Sequence, residues 1–154
     1  MKVYLSGPIE NAINDGADWR KEITQWLKTR LGHDVFDPVI ETRNIIEKYN
    51  AAEFRLLKKT NPVQYKKIFK DIIKVDLNAV VHDCDYLIVK WDESVFKGGG
   101  THGEVTIAHW FNKPIFLVNF LSIEDVSSWI FSCADHFVND FDDLKIKLEE
   151  MYSE

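Results

Sequence analysis

Short apolar segments alternate with longer segments of helical periodicity along the chain. The apolar segments are Lys2–Ser6, 34–37, Tyr86–Trp91, Ile115–Asn119 and His136–Val138. Alternation of this kind implies a mostly parallel sheet with helices on both faces. The sequence therefore predicts a doubly wound α/β fold, flavodoxin-like or Rossmann-like, with one five-stranded sheet. Right-handed crossovers allow the strand order 2-1-3-4-5, which puts a ligand site beyond the carboxyl ends of strands 1 and 3.

The segments between the strands predict the helices. Their predicted bounds are 17–31, 42–60, 62 to about 82, 105–112, 123–133 and 140–152. We interpret residues 1–154 as a single domain, with residues 40–70 as a helical insertion within it. The pattern leaves open whether this insertion is a lid, an oligomer contact or a specificity element.

Composition excludes several classes of function. The chain has 154 residues, 45% hydrophobic and 29% charged, which is typical of one globular domain. Its formal net charge of -6 argues against sequence-independent binding to a nucleic acid polymer, which needs a basic face. No segment approaches a membrane span, so we expect a cytoplasmic protein with no membrane partner. Cys84 and Cys133 are expected to be reduced and buried, and we expect no metal and no cofactor.

The most informative stretch is 97–104, which reads K-G-G-G-T-H-G-E between the third apolar segment and a helix. Gly98, Gly99 and Gly100 would let the backbone approach a ligand closely and expose N–H groups. A helix start adds free N–H groups and a partial positive charge. A simpler explanation is a capping box, with Thr101 at the N-cap and Glu104 three residues later.

Four carboxylates are candidates for chemistry, and each also has a structural interpretation. Glu104 is either a cap or a site residue. Asp76 lies on an apolar helix face, where a charge is costly unless it is paired, for example with Arg20 or His82, or faces a cavity. The two remaining acids follow strands and suit turns, and these are Asp37 and Asp92.

Three further side chains lie near the predicted ligand site beyond strands 1 and 3, and each can be interpreted in two ways. Tyr4 is on the central strand, where sheet packing is its simplest role. His102 lies in the glycine-rich loop, where it either contacts a ligand or is solvated. Ser6 is followed by Gly7 and Pro8 at the end of the first strand, and all three would face the same crevice.

A set of short motifs follows one order along the chain. The motifs are Tyr4-Leu-Ser-Gly-Pro-Ile9, Asp37-Pro38, Asp76 in an I-x-x-x-D pattern, Cys84-Asp85, Asp92, Gly100-Thr101-x-x-Glu104 with Ala108, and Lys113-Pro114. Together they resemble the nucleoside 2-deoxyribosyltransferase family over residues 1 to about 119. That family cleaves the N-glycosidic bond of deoxyribonucleosides or, in its hydrolase branch, of nucleoside 5′-monophosphates.

The resemblance implies roles for individual residues. Glu104 would be the nucleophile at the anomeric carbon, and Tyr4 would position it. Asp76 and Asp92 would hold the base or donate a proton to it. The resemblance also implies a homo-oligomer, and the aromatic side chains of Trp110 and Trp129 are consistent with at least a dimer.

One departure from the family pattern concerns the substrate. Many transferases have an acidic residue just before the G-T pair, where this chain has Gly98 and Gly99. Glycines followed by His102 and Gly103 suit a phosphate better, and Ser6 could donate a further hydrogen bond. This favours monophosphates slightly.

Two other functions stay open at this point. One is a nucleotide-binding or sensing module of the same fold without catalysis. The other is a phosphoribohydrolase of the lysine decarboxylase-like group, whose P-G-G-x-G-T-x-x-E motif resembles residues 98–104.

Overall fold

The computed structural model describes residues 1–153, which form one parallel sheet flanked by helices. Its strands are β1 (Lys2–Ser6), β2 (Asp34–Phe36), β3 (Tyr86–Trp91), β4 (Ile115–Asn119) and β5 (His136–Val138). They lie in the order β2-β1-β3-β4-β5, and every neighbouring pair is parallel. The predicted fold class and strand order are therefore confirmed.

Seven α-helices connect or follow these strands within the described residues. They are α1 (Ala17–Trp26), α2 (Pro38–Lys48), α3 (Leu57–Thr60), α4 (Pro62–Asn78), α5 (Gly100–Trp110), α6 (Ser128–Cys133) and α7 (Phe141–Tyr152). Wider π-helical turns extend α1 through Leu27–Leu31 and α4 through Ala79–Asp83. Short 3-10 helices occupy Ile13–Gly16, Phe54–Leu56, Glu93–Lys97 and Ile123–Asp125.

The two faces of the sheet bury separate cores because successive side chains of a strand point to opposite faces. Tyr4, Leu87 and Val89 pack with Val105 of α5 on one face. Val3, Leu5 and Ile88 pack with α1 and α7 on the other. The described region from α2 to α4 has a third core of its own, centred on Phe54, Ile68 and Ile72. The region that we interpret as an insertion therefore packs largely against itself.

The prediction of one helix over 42–60 is wrong. Helix α2 begins earlier because Asp37 caps it, accepting a hydrogen bond from the Val39 amide at 2.9 Å, and Pro38 takes the first helical position. The helix ends near Tyr49, and Asn50 has a positive φ of 51°. Residues 51–60 then form short helical turns rather than a continuation.

The capping-box interpretation of Thr101 is also wrong. Helix α5 begins at Gly100 with Gly99 as its N-cap, and no side chain caps it. Thr101 is therefore inside the first turn, and Glu104 is available for other partners. Within residues 1–153, no helix is both long enough and apolar enough to cross a membrane.

Candidate active site

A cavity of about 820 Å³ lies beside the carboxyl ends of the two central strands. Its lining includes the loop after β1, the glycine-rich loop after β3 and the first turn of α5, together with side chains of α2 and α4. The strand order reverses between β1 and β3, so this is the switch point where doubly wound folds bind ligands.

Glu104 lines this cavity, and two hydroxyl groups hold its carboxylate. The Tyr4 hydroxyl donates to Oε1 at 2.9 Å, and the Ser6 hydroxyl donates to Oε2. Tyr4 and Ser6 lie two residues apart on β1, so both point to the face that α5 covers. All three side chains are buried. The arrangement fixes both carboxylate oxygens in one orientation toward the cavity.

Asp76 is a second carboxyl group on the same cavity, contributed by the last turn of α4. It is only 9% exposed, and its Oδ1 atom has no hydrogen-bond partner. The ion pair with Arg20 or His82 that the sequence suggested is absent among the described residues. A buried polar atom without a partner is uncommon and needs an explanation. A ligand that donates to or accepts from Asp76 would supply one.

The environments of the two carboxyl groups favour different protonation states. Burial, with repulsion from Glu104, raises the pKa of Asp76 to about 8. Burial also raises the pKa of Glu104, but hydrogen bonds from Ser6 and Tyr4 and the charge of Arg20 oppose this shift. When one proton is shared between two such acids, the one that accepts more hydrogen bonds ionises first. These contacts favour Glu104 as the ionised member of the pair and Asp76 as the protonated one.

Arg20 lies beneath the site and is completely buried. Its guanidinium donates to the carbonyl oxygens of Gly7 at 2.8 Å and Gly16 at 3.0 Å, and its Nε lies 3.7 Å from Asp37 Oδ1. Gly16 has a φ of 68°, and a Cβ there would lie 2.6 Å from an Arg20 nitrogen. Glycine is therefore required at this position. Through these contacts Arg20 connects the loop after β1 to the N-cap of α2.

This network leads to a stability prediction. Replacing Arg20 by methionine leaves Asp37 and several carbonyl groups without a buried partner, so we expect unfolding to become easier by roughly 3–5 kcal/mol. The matched control is Arg30→Met, because Arg30 pairs with Glu149 on the surface, at 2.9 Å and with 62% of its side chain exposed. That pair contributes at most about 1 kcal/mol. Denaturant unfolding measures both, and similar losses for the two variants would contradict the assignment.

The glycine-rich loop lines the cavity as the sequence suggested. Gly98, Gly99, Gly100 and Gly103 are all in the lining, and a Cβ added at any of them would meet nothing within 4 Å. The first amides of α5 have no acceptor within the helix, since they belong to its first turn. Gly7 and Pro8 line the cavity too, whereas the Ser6 hydroxyl donates to Glu104 instead of facing a ligand.

Tyr4 and Ser6 lie behind Glu104 and outside the cavity lining, and three further candidate residues are also outside it. Asp92 accepts a hydrogen bond from the Ser94 amide and forms an ion pair with Lys90 at 3.1 Å. Asp37 caps α2 and pairs with Arg20. His102 packs edge-on against the Trp91 ring at 4.8 Å. The structure gives each of these side chains a structural contact, and their roles toward a substrate stay predictions.

Sequence reasoning missed the apolar wall of the cavity and the importance of Arg20. The wall comes from α2 and α4 and from the segment between them. A signal for Arg20 was present, because it lies three and seven residues before Ile23 and Leu27 on the buried face of α1. No three described His, Cys, Asp or Glu side chains lie close enough together to hold a metal ion.

Comparison with solved structures returned proteins of the same fold. The 2-deoxyribosyltransferase of Bacillus psychrosaccharolyticus superposes with a TM-score of 0.66 and 19% sequence identity. The match covers 94% of this chain and 90% of that one. This chain has the fold of a 2-deoxyribosyltransferase. The structural match agrees with the family resemblance of the sequence motifs.

A second solved structure is the CMP N-glycosidase BcmB of Clostridium botulinum. It has a TM-score of 0.50 and 19% identity, and the match covers 98% of this chain and 99% of that one. At this level of identity both comparisons establish the fold alone. No protein-family model matches the chain, and no curated protein sequence matches it either.

Proposed function

We propose that this protein cleaves the N-glycosidic bond of a (deoxy)nucleoside or of its 5′-monophosphate, with Glu104 as nucleophile. The observation that carries the proposal is the pair of buried carboxyl groups on one cavity. Glu104 is held by two hydroxyl donors, whereas Asp76 Oδ1 has no partner. Such a pair supplies a nucleophile and a proton donor, which are the two groups that a retaining glycosidase needs. The fold shared with a deoxyribosyltransferase and a CMP N-glycosidase supports it.

In the first step, a Glu104 oxygen attacks the anomeric carbon and the bond from that carbon to the base nitrogen breaks. The electron pair of the broken bond goes to the base, which takes the proton of the Asp76 carboxyl group. The products are a neutral base and a sugar esterified to Glu104. Tyr4 and Ser6 orient the attacking carboxylate, since each donates to one of its oxygens.

In the second step, an acceptor attacks the same carbon from the side that the base has left. Asp76, now ionised, removes the acceptor's proton as the new bond forms and the bond to Glu104 breaks. Water as acceptor gives the free sugar or sugar phosphate, and a second base gives a new nucleoside. Hydrolysis and transfer therefore use the same residues and differ only in the acceptor.

A 5′-phosphate would bind at the start of α5. The glycines there line the cavity, and the first turn of the helix has free amide groups and a partial positive charge. Because the ribose separates the 5′ oxygen from the anomeric carbon, a phosphate at this place need not contact Glu104. We therefore favour the monophosphate over the free nucleoside.

The deciding experiment incubates the protein with matched deoxynucleosides and 5′-monophosphates, with and without an acceptor base. Free base and new nucleoside are separated by chromatography. We expect base release, and a kcat/KM about tenfold higher for the monophosphate, equivalent to about 1.4 kcal/mol of transition-state binding. Preference for the free nucleoside would contradict the phosphate assignment only. Binding without base release would indicate a nucleotide-binding module and refute the catalytic proposal.

A further inference from the structure

The cavity extends well beyond the two carboxyl groups, along α4. Six side chains of this helix line it, and four of them follow one another at steps of three or four residues: Tyr65, Phe69, Ile72 and Asp76. They form one stripe on the helix, because residues at this spacing share a face. At 1.5 Å of rise per residue, Tyr65 lies roughly 16 Å along the axis from Asp76, and Phe69 roughly 10 Å. Asp76 is thus at one end of a long groove.

Beyond Asp76 the cavity has a mostly apolar wall, which we call the apolar arm, and the charged side chains of Arg43, Glu53 and Arg55 also line the cavity. The arm is defined by Phe54, Leu56, Tyr65, Phe69, Ile72 and Ile73. Phe54, Tyr65 and Phe69 stack on one another, with ring centroids 4.8–6.2 Å apart. On α2, Val39 and Ile46 also line the cavity. The arm is therefore a preformed apolar surface supported by the third core.

The cavity is larger than a sugar and an unmodified base require. Pockets that bury drug-sized ligands have volumes of roughly 300–1,000 Å³. At about 820 Å³ this cavity is near the upper end of that range, whereas a nucleoside is a small ligand. A base that accepts a proton from Asp76 fills the end near Glu104. The arm then continues past the base and presents a largely apolar surface to any group attached there.

We propose that the apolar arm binds a hydrocarbon substituent on the base, so that the preferred substrates carry an alkyl or aryl group there. The inference rests on the proposed N-glycosidic activity and specifies its substrate class. It also gives the helical region between β2 and β3 the role of specificity element. Burying the substituent stabilises the complex in proportion to the apolar area removed from water.

The test compares matched substrates that differ only in this group. The probes are deoxyadenosine and deoxycytidine, each with a free or a benzylated exocyclic amine, and each as nucleoside and as 5′-monophosphate. We expect kcat/KM for at least one benzylated probe to exceed that of its parent by tenfold or more. One missing methylene in an apolar pocket already changes such ratios by about 10- to 200-fold.

Two variants link the preference to the arm. Ile73→Ser and Leu56→Ser remove apolar contacts at side chains that are 46% and 56% exposed, so neither leaves a buried void. We expect each to lower the benzyl-to-parent ratio of kcat/KM at least threefold. The control is Val63→Ser on the same helix, because Val63 is 79% exposed and lies outside the cavity lining.

The possible outcomes separate this inference from the proposed function. If the parent substrates react and every benzylated probe reacts no faster, the arm does not bind substituents and only this inference fails. If the benzyl preference is unchanged in both serine variants, the substituent does not bind to the apolar arm and the location of the binding surface is refuted. If no probe releases base, the proposed function itself fails and this inference fails with it.

Discussion

Glu104→Gln should reduce base release by a factor of about 10⁴ or more, because the amide cannot form the glycosyl ester. The fold should survive, since glutamine has the same shape and the Tyr4 and Ser6 hydroxyls can still hydrogen bond to it. The change also removes a buried charge, so stability should be equal or slightly higher. Initial rates of base release and denaturant unfolding measure the two effects.

The matched control for this variant is Glu93→Gln, an exposed glutamate in the short helix that follows β3. It should keep full activity. Full activity in Glu104→Gln as well would refute the nucleophile assignment. A lower stability without loss of activity would mean that Glu104 serves only the packing of α5 against β1.

Asp76→Asn should lose activity and gain stability together. The amide cannot donate the proton that a leaving base needs, and general acid catalysis typically contributes about 10²- to 10⁴-fold. At neutral pH the same change removes a buried ionisable group from the folded state. Replacements of this kind leave the free energy of unfolding unchanged or raise it by roughly 1–4 kcal/mol. An equally active and more stable variant would show that Asp76 is only a tolerated buried acid.

The stability gain should depend on pH in a defined direction. The folded chain holds the Asp76 proton until about pH 8, whereas an unperturbed aspartate releases it near 3.8. As pH rises through this window, the unfolded state has already lost the proton, so the wild-type free energy of unfolding falls. Asp76→Asn lacks this loss. The stability difference between the two proteins should therefore be small near pH 4 and grow toward pH 8.

The rate should follow the same titration. The proposed mechanism requires a protonated Asp76, so it predicts that kcat/KM falls as pH rises through about 8. On the acid side it should fall when the pair takes up its second proton, a step that belongs to both carboxyl groups together. The fall of kcat/KM above about pH 8, the basic limb of the profile, should be missing in Asp76→Asn. A limb that remains in that variant would assign the titration to another group.

The sheet was predictable from the sequence because its strands are buried on both faces. Strands of this kind appear as continuous apolar runs, and the bounds of β1, β3, β4 and β5 agree with the runs in the sequence. The region after β2 was harder to predict. Asp37 and Pro38 were interpreted as the end of a strand, although the same pair is a strong start signal for a helix.

The candidate site was partly predictable, because residues after neighbouring parallel strands meet at one edge of the sheet. That argument put Tyr4, Ser6 and Glu104 near one another, and the structure brings their side chains into contact. It could not assign hydrogen-bond partners, so Ser6 was interpreted as a phosphate donor. The cavity wall on α4 could not be predicted either, because in the sequence Phe69 and Ile72 cannot be distinguished from ordinary core residues.

The hydrogen bonds to Glu104 span 98 and 100 residues of chain. During synthesis, β1 leaves the ribosome long before its partner β3 and before the carboxylate that its hydroxyls hold. Contacts between such distant residues form late, because closing the intervening loop costs entropy before any contact compensates for it. Recovery of catalytic activity during refolding should therefore lag behind the gain of helical signal. The last event in the maturation of this protein would be the pairing that orients the Glu104 carboxylate.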